Sequence, residues 1–539
     1  MLESKLFQEE AVSVLKWLVS MPSITRTSGE DAISIAIFQN LRNLDYFKHH
    51  FEHLRFVTHQ DEHKHSLLAL LKAPKACANT LVVLGNSDTS DADGFGAFRA
   101  SAFKSEELRS KLCSQIKDEA LLKDLNNSAN IYGLGSFECK APVAGMLVLI
   151  KHLCAHLESL DVNLLFVCTS EHLNAHQGIR ECLPYIHDLA QKEHLKLKLA
   201  LTFRPETLPH DPQRFRLYTA NMGKIETCFY ILGKGANPES PFTGFSPTLV
   251  AAKLISLLEL NASLTEDLSS RALVPTFNYL RTHNNRSANT PSVAVLSLSI
   301  PFINIDLIDL IELLKQKSAE ALEQASYLID DRHAAYNALL GKDFENETQE
   351  AEVISYSDLF YRASRNYKGN LASAIDSLVQ NCASDGLSIK ETAKTVIERL
   401  IELTKLPRPS IIVFFGNDFI PQQLLRRNHS EDRDLYIRLN SAIEEFNALD
   451  ETLTLDIENE CQPNDGCFIR PVGIDAAIKS LTNESPIPVN TFYNLNAPCV
   501  SVTYKGGALY TPFEHVDSNF FVQMQYLIDR LMHGIEDLH

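Results

Sequence analysis

Apolar residues return at near-helical spacing through Phe7, Val12, Val14, Leu15, Leu18 and Val19 until Pro22 stops them, which predicts an opening helix over 7–20. Two short apolar runs follow, Leu67–Leu71 and Thr80–Leu84. The second ends in Gly85 and the polar stretch from Asn86 to Asp91, the pattern of a buried strand opening into a loop. Ala141–Glu158 predicts a helix, Val162–Cys168 another buried strand and Leu173–Ala190 a further helix. Strand, helix, strand, helix implies an α/β protein with a mostly parallel, helix-covered sheet. In such sheets the loops at strand ends carry the chemistry.

The texture changes near Phe215. Phe215–Leu232 alternates like a strand, Pro247–Leu260 reads as helix, Ser292–Ser299 as strand and Ile305–Tyr327 as helix, together a unit of ferredoxin-like size. From about residue 331 long helices and apolar strands return, at Ser410–Phe415 and Pro498–Val502, and the chain closes on an amphipathic helix at Phe520–Met532. The expected organisation is a first domain over 1–214, a smaller α+β unit inserted over 215–330, and the first domain resuming over 331–539. The acidic stretch Gly341–Glu352 reads as a solvated loop.

Composition narrows the function class. A chain of 539 residues calls for more than one packing unit, and 45% hydrophobic with 22% charged residues is ordinary for a globular protein. A formal charge of -18 with no cluster of Lys and Arg argues against nucleic acid, whose phosphates need such clusters. Eleven cysteines without a C-x-x-C pair suit reduced thiols and a cytoplasmic location. The acidic first residues lack a signal peptide's basic region, and no stretch reaches the about 20 apolar residues of a membrane span.

Four strand-end segments hold the candidate chemistry: Asn86-Ser87-Asp88, Gly133 to Lys140, Ser170-Glu171-His172, and Arg204-Pro205-Glu206. A parallel sheet would bring Asp88, Glu138, Glu171, His172 and Arg204 to one cleft; otherwise they are ordinary polar loop residues.

In order and spacing these segments resemble the zinc-dependent amidohydrolases and peptidases of the aminoacylase, succinyl-diaminopimelate desuccinylase and carboxypeptidase type, and among them the arginine-utilisation branch of RocB type. Stretches outside the site are similar too: Asp91–Phe103, Met222-Gly223-Lys224, Asn464-Asp465, and Gly506 through Val516. The resemblance implies a zinc-peptidase-like domain in two sequence pieces with a ferredoxin-like lid between them. It also implies two zinc ions held by histidines and acids, with a separate glutamate as general base. Glu171 falls at the general-base position, Asp88 at the supporting acid of the first motif, Glu138 at the bridging carboxylate and His172 at a carboxylate ligand.

Other positions depart from that pattern. Asn86 stands where an imidazole is implied, Arg204 where an acid is, and Tyr510 in place of the last histidine; Asn237 replaces the lid histidine that faces substrate. An amide is a poor zinc ligand, a guanidinium has no lone pair to give, and a phenol binds only as phenolate. Arg204 is expected to neutralise Glu138 or Glu171 in place of the metals. The resulting expectation is a non-hydrolytic binding or regulatory protein, without a cofactor, whose pocket takes an amino-acid or acyl-amino-acid-like small molecule. The other reading is an amide hydrolase with an altered single-metal site in which Glu138, His172 and a third group such as Glu206 hold zinc and Glu171 activates water. His172, His176 and Cys139 could also make a relocated single-metal site, or be a surface histidine pair and a buried thiol. The group His49, His50, His53, His59, His63 and His65 could bind a metal, or, interleaved as it is with Glu, Asp, Lys and Gln, be a solvated segment. Asp465, between Cys461 and Cys467, could recognise a ligand's ammonium or simply form a turn. No G-x-S-x-G elbow is present. The resemblance also implies that two copies could pair through the lid.

Overall fold

The computed structural model describes residues 4–60, 63–75, 77–206, 214–237, 239–264, 274–283, 291–303, 306–341, 350–416, 418–425, 430–448, 454–461, 463–487, 492–536 and 538. Contacts divide the chain into two compact units: one of Met1–Asn221, Gln423–Val472 and Phe492–His539, the other of Met222–Gln422 and Gly473–Thr491.

The first unit is built on a nine-stranded sheet. Asn163–Thr169, Asn79–Asn86, Lys196–Pro205 and Cys499–Tyr504 lie side by side and run parallel. Antiparallel strands flank them: Leu54–Thr58 and His65–Leu71 on one side, Arg214–Asn221 and Gln423–Leu424 on the other. The runs Leu67–Leu71 and Leu81–Leu84 are buried at every position rather than alternately. That is the mark of strands covered on both faces, and it is why they read as continuous apolar runs. Helices Ser4–Val19, Ala141–Ala155 and Phe520–Glu536 pack on one another, joined through Phe7, Leu15, Met146 and Met524 to the core of the sheet. Gln177–Lys192 packs against the strands Leu54–Thr58, His65–Leu71 and Asn163–Thr169.

The second unit has a five-stranded sheet in the order Glu352–Ser355, Ser410–Phe415, Gly223–Leu232, Val293–Phe302, Thr276–His283. The last four, with helices Pro247–Leu258 and Leu307–Leu340, follow the ferredoxin-like strand order, and Glu352–Ser355 adds a parallel edge. The fourth ferredoxin-like strand is therefore Ser410–Phe415, which carries this unit on to Gln422, past the 330 boundary read from the sequence. That boundary falls inside the helix Leu307–Leu340, which carries the buried stripe Leu310, Leu314, Ala321 and Ala325 and runs on well beyond Tyr327.

The apparent single strand Phe215–Leu232 is two: Arg214–Asn221 joins the first unit's sheet and Gly223–Leu232 the second's. A side chain at Gly223 would meet the Phe302 ring at 2.4 Å, so glycine is required there. The expected helix Leu173–Ala190 begins only at Gln177, because Glu171, Ala175 and His176 adopt positive φ and form a tight non-helical turn. Residues 342–349 of the acidic loop lie outside the described residues, whereas Glu352–Ser355 is strand. Among the described residues no helix is long and apolar enough to cross a membrane.

In the second unit Glu226 is buried, accepts a hydrogen bond from Ser297 Oγ and pairs with Lys390 at 2.8 Å. Burial and the charge of Glu226 push the neighbouring Asp418 carboxyl up to about 6 from its ordinary 3.8. The folded state thus keeps this proton to higher pH than the unfolded chain. Its contribution to stability is full below about pH 3.8 and is lost as pH rises through about 6. Asp418→Asn should therefore flatten the melting temperature across this window and raise it at neutral pH relative to wild type, as read by calorimetry over a pH series.

Candidate functional site

The strand Asn79–Asn86 delivers Asn86, opposite Thr169, and then Asp88. Asp88 is fully buried. Its Oδ1 accepts from the His172 backbone at 3.0 Å; its Oδ2 accepts from the Leu173 backbone at 3.1 Å and from Thr25 Oγ1 at 2.9 Å. Both oxygens hold the loop that follows the next strand, so Asp88 is a positioning residue for Glu171 and His172.

Glu171, with φ 54°, is almost wholly buried. Its Oε2 lies 2.8 Å from His59 Nδ1, its Oε1 accepts from Asn174 Nδ2 at 3.1 Å, and its backbone donates to Glu30 Oε1 at 2.6 Å. His59 Nε2 lies 2.8 Å from Ser66 Oγ, which itself accepts from the Ser170 backbone at 3.1 Å. An ionised Glu171 carboxylate can only accept, so the Nδ1 proton lies on the Glu171 side and Ser66 is the donor to a neutral ring's Nε2. Burial opposes ionisation of Glu171, but the hydrogen bonds from His59 and Asn174 and the charge of Lys64 hold its pKa below the ordinary value. His59 was read as part of a solvated histidine segment. It is buried because strand His65–Leu71 and the loop before it lie beside Asn163–Thr169.

The second motif needs its glycines. Gly133 has φ 136° and a side chain there would meet Val19 at 2.6 Å; Gly135 has φ 84° and would meet Thr89 at 2.7 Å. The wide turn Ser136–Lys140 that follows is capped by buried Glu514, whose Oε1 accepts from the backbones of Gly135, Phe137 and Glu138 at 2.9, 3.3 and 3.2 Å. Glu138 itself takes the Ser90 backbone and hydroxyl at 3.3 and 3.4 Å. Burial, then the charges of Glu514 and Asp88, push the Glu138 carboxyl up to about 8; burial pushes Glu514 up to about 7. Glu514 lay within a stretch matched to the family without a role being assigned to it.

His172 Nδ1 and His176 Nδ1 both approach one oxygen of Asp465, at 2.8 and 2.6 Å, and Thr169 Oγ1 donates to its other oxygen at 2.9 Å. Burial would lower the His172 pKa, but Asp465 and the carboxyls of Asp88 and Glu138 raise it to about 9. The two imidazoles in turn hold Asp465 far below the carboxylate range against the effect of its burial. Cys139 is elsewhere, its thiol donating to the Asp88 carbonyl at 3.2 Å, so the third member of the histidine cluster is Asp465. Asp465 therefore meets two imidazoles where the sequence suggested a ligand's ammonium.

The remaining positions are spread. Arg204 lies with its guanidinium 5.8 Å from the Tyr218 ring centre, while Glu171 takes His59 and Asn174, and Glu138 takes Ser90. Glu206 is ion-paired with Arg216 at 2.5 Å. Tyr510 is exposed, with φ 62°, and its backbone donates to Glu514 Oε2 at 3.2 Å. Asn237 belongs to the second unit, where its side chain caps the turn at Glu239. Asn86, Arg204 and Tyr510 present an amide, a guanidinium and a phenol, none of them an imidazole or a carboxylate. Ten of the eleven cysteines, among them Cys139, Cys168, Cys182 and Cys467, are free thiols.

No family model matches the chain. Protein RocB of Bacillus subtilis (strain 168) is 21% identical over 506 residues, covering 91% of this chain and 88% of RocB. YqjN of the same organism is 23% identical over 422 residues, 77% of this chain and 75% of YqjN. The solved M20 family metallo-carboxypeptidase Sso-CP2 from Sulfolobus solfataricus superposes with a TM-score of 0.54 at 12% identity, covering 98% of this chain and 99% of that one. The chain thus has the M20 metallopeptidase fold, with a large, mostly parallel sheet, and is similar to RocB over most of its length.

Because Asp88 satisfies three donors inside the fold, Asp88→Ala should cost about 3 kcal/mol of stability, the usual scale for orphaning buried donors. Chemical denaturation measures this, and a loss under about 1 kcal/mol would mean that the loop holds itself.

Proposed function

We propose that this RocB-like chain on the M20 metallopeptidase fold holds an amino-acid or acyl-amino-acid-like small molecule without hydrolysing it. One observation carries the reading. At the end of strand Lys196–Pro205, where the two-zinc chemistry needs an acidic ligand, Arg204 places a permanent cation over Tyr218 and the nearest acid in sequence, Glu206, is committed to Arg216 at 2.5 Å. Shifting the register by two residues, so that Glu206 becomes the ligand, would break a largely buried ion pair and leave Arg216 to the longer contact with Glu458 at 3.8 Å.

Further support comes from the acids themselves. Glu171 at the general-base position has its carboxylate tied to His59 and Asn174. Asp88 is wholly committed to the loop it caps. The ligand class rests on analogy alone, with the solved structure of similar fold, Sso-CP2, being a metallo-carboxypeptidase.

The test is a panel of dipeptides and N-acyl amino acids with added zinc or manganese. No turnover above the buffer rate is expected, together with a raised melting temperature for at least one compound. A ligand at 100 times its Kd stabilises the folded state by about 2.7 kcal/mol. Turnover that vanishes in Glu171→Gln would overturn the reading and establish a hydrolase with Glu171 as base.

A further inference from the structure

We propose that His172, His176 and Asp465 form a site for one zinc-type divalent cation, distinct from the two-metal set of the fold. The three ligand atoms lie within 4.8 Å of one another. Two imidazoles and one carboxylate are a donor set that zinc takes in single-metal sites, with a fourth position open. Two of the three ligands, His176 and Asp465, lie outside the positions implied by the two-zinc pattern, and the acid comes from a segment almost 300 residues further along the chain. The cation would bind independently of the non-hydrolytic reading above and asks nothing of Asn86, Arg204 or Tyr510.

The surroundings are those of a built site. Thr169 Oγ1 donates to Asp465 Oδ2 and so turns Oδ1 toward both histidines, the supporting hydrogen bond that metal ligands characteristically have. Asp465 opens the turn Asp465–Phe468, held in place by Asn464, whose side chain accepts from the Gly466 backbone at 2.9 Å. On the other side, the His176 backbone donates to the His172 carbonyl at 3.1 Å, which brings the two rings to 4.4 Å between centroids at an interplanar angle of 84°. Glu171, Ala175 and His176 all hold φ of 54° in this loop, a conformation that costs energy for residues with a side chain and that persists where surrounding structure imposes it. His172 keeps 24% of its side chain exposed beside the nearly enclosed Asp465, which leaves an entry path.

Without a cation the Nδ1–Oδ1 distances of 2.8 and 2.6 Å are hydrogen bonds. Ligand atoms around a tetrahedral zinc, with bonds of about 2.0–2.1 Å, stand roughly 3.3 Å apart. Binding therefore asks each contact to open by roughly half an ångström, within the reach of side-chain rotation, and it releases the Nδ1 protons to solvent as the imidazoles become ligands. A second group among the described residues, His50, Glu52 and His53, has the elements of a cation site, but its first two members are exposed and it carries no comparable supporting bond to its acid.

Full-length protein purified without affinity metal and stripped with a chelator is titrated with cobalt(II), followed by its visible absorption, and with zinc, followed by calorimetry. The expected result is one equivalent per chain with the intense absorption of a tetrahedral cobalt centre. At least a tenfold loss of affinity is expected in His176→Ala and Asp465→Asn, and wild-type affinity in Glu138→Gln. Should Asp465→Asn fail to fold, His172→Asn, at the more exposed ligand, gives the same reading. Binding below a tenth of an equivalent, or wild-type affinity in both His176→Ala and His172→Asn, overturns the proposal. Loss in Glu138→Gln with retention in His176→Ala overturns it in favour of the two-metal position. Binding without peptide turnover leaves both proposals standing, binding with turnover removes only the non-hydrolytic one, and absence of binding removes only the cation site.

Discussion

A carboxylate removed from water must have its charge answered, and the edge of this sheet gathers five of them: Glu30, Asp88, Glu171, Asp465 and Glu514, all buried. The protein has donors of its own for each. Asp88 takes two backbone amides and Thr25; Glu514 takes the amides of the glycine turn; Glu171 takes His59 and Asn174; Glu30 takes Lys64 at 2.6 Å; Asp465 takes two imidazoles and a threonine. The loops of the site are shaped by this need. The positive φ at Glu171 and the amides directed at Asp88 and Glu514 are how short segments present several donors to one acid.

The same constraint separates the acids by character. Burial pushes Glu138 and Glu514 up, Glu138 further through the charge of Glu514. Glu171 and Asp465 are buried too, but imidazole partners hold both down. An imidazole partner thus offsets the effect of burial that raises the other two. His59 beside Glu171, and His172 and His176 beside Asp465, supply it.

This division also explains what the sequence could and could not reveal. The parallel strands were legible because Leu81–Leu84 and Leu164–Cys168 are buried on both faces and so leave unbroken apolar runs. The ferredoxin-like order was legible only in part: its fourth strand, Ser410–Phe415, is separated from the third by four helices and the strand Glu352–Ser355, and no local pattern marks where a sheet is completed. At the site, Asp88, Glu138, Glu171 and His172 were found because each abuts a strand end. His59 was not, since its partner Glu171 lies 112 residues away and its own neighbours are charged and polar. Asp465 stood out as an ammonium-binding acid or a turn residue; the turn is present, and nothing in Asn464-Asp465 tells that it directs the acid to His172 and His176.

Under the non-hydrolytic reading proposed above, Asn86 and Tyr510 in place of imidazoles leave the charge of the edge unchanged, while Arg204 in place of an acid removes one negative charge and adds a positive one. Glu206 would have to leave Arg216 at 2.5 Å, and Asp88 its three donors, before either could serve a metal. The cation proposed for Asp465 asks for neither rearrangement, because its carboxylate and the two imidazoles that meet it already stand together.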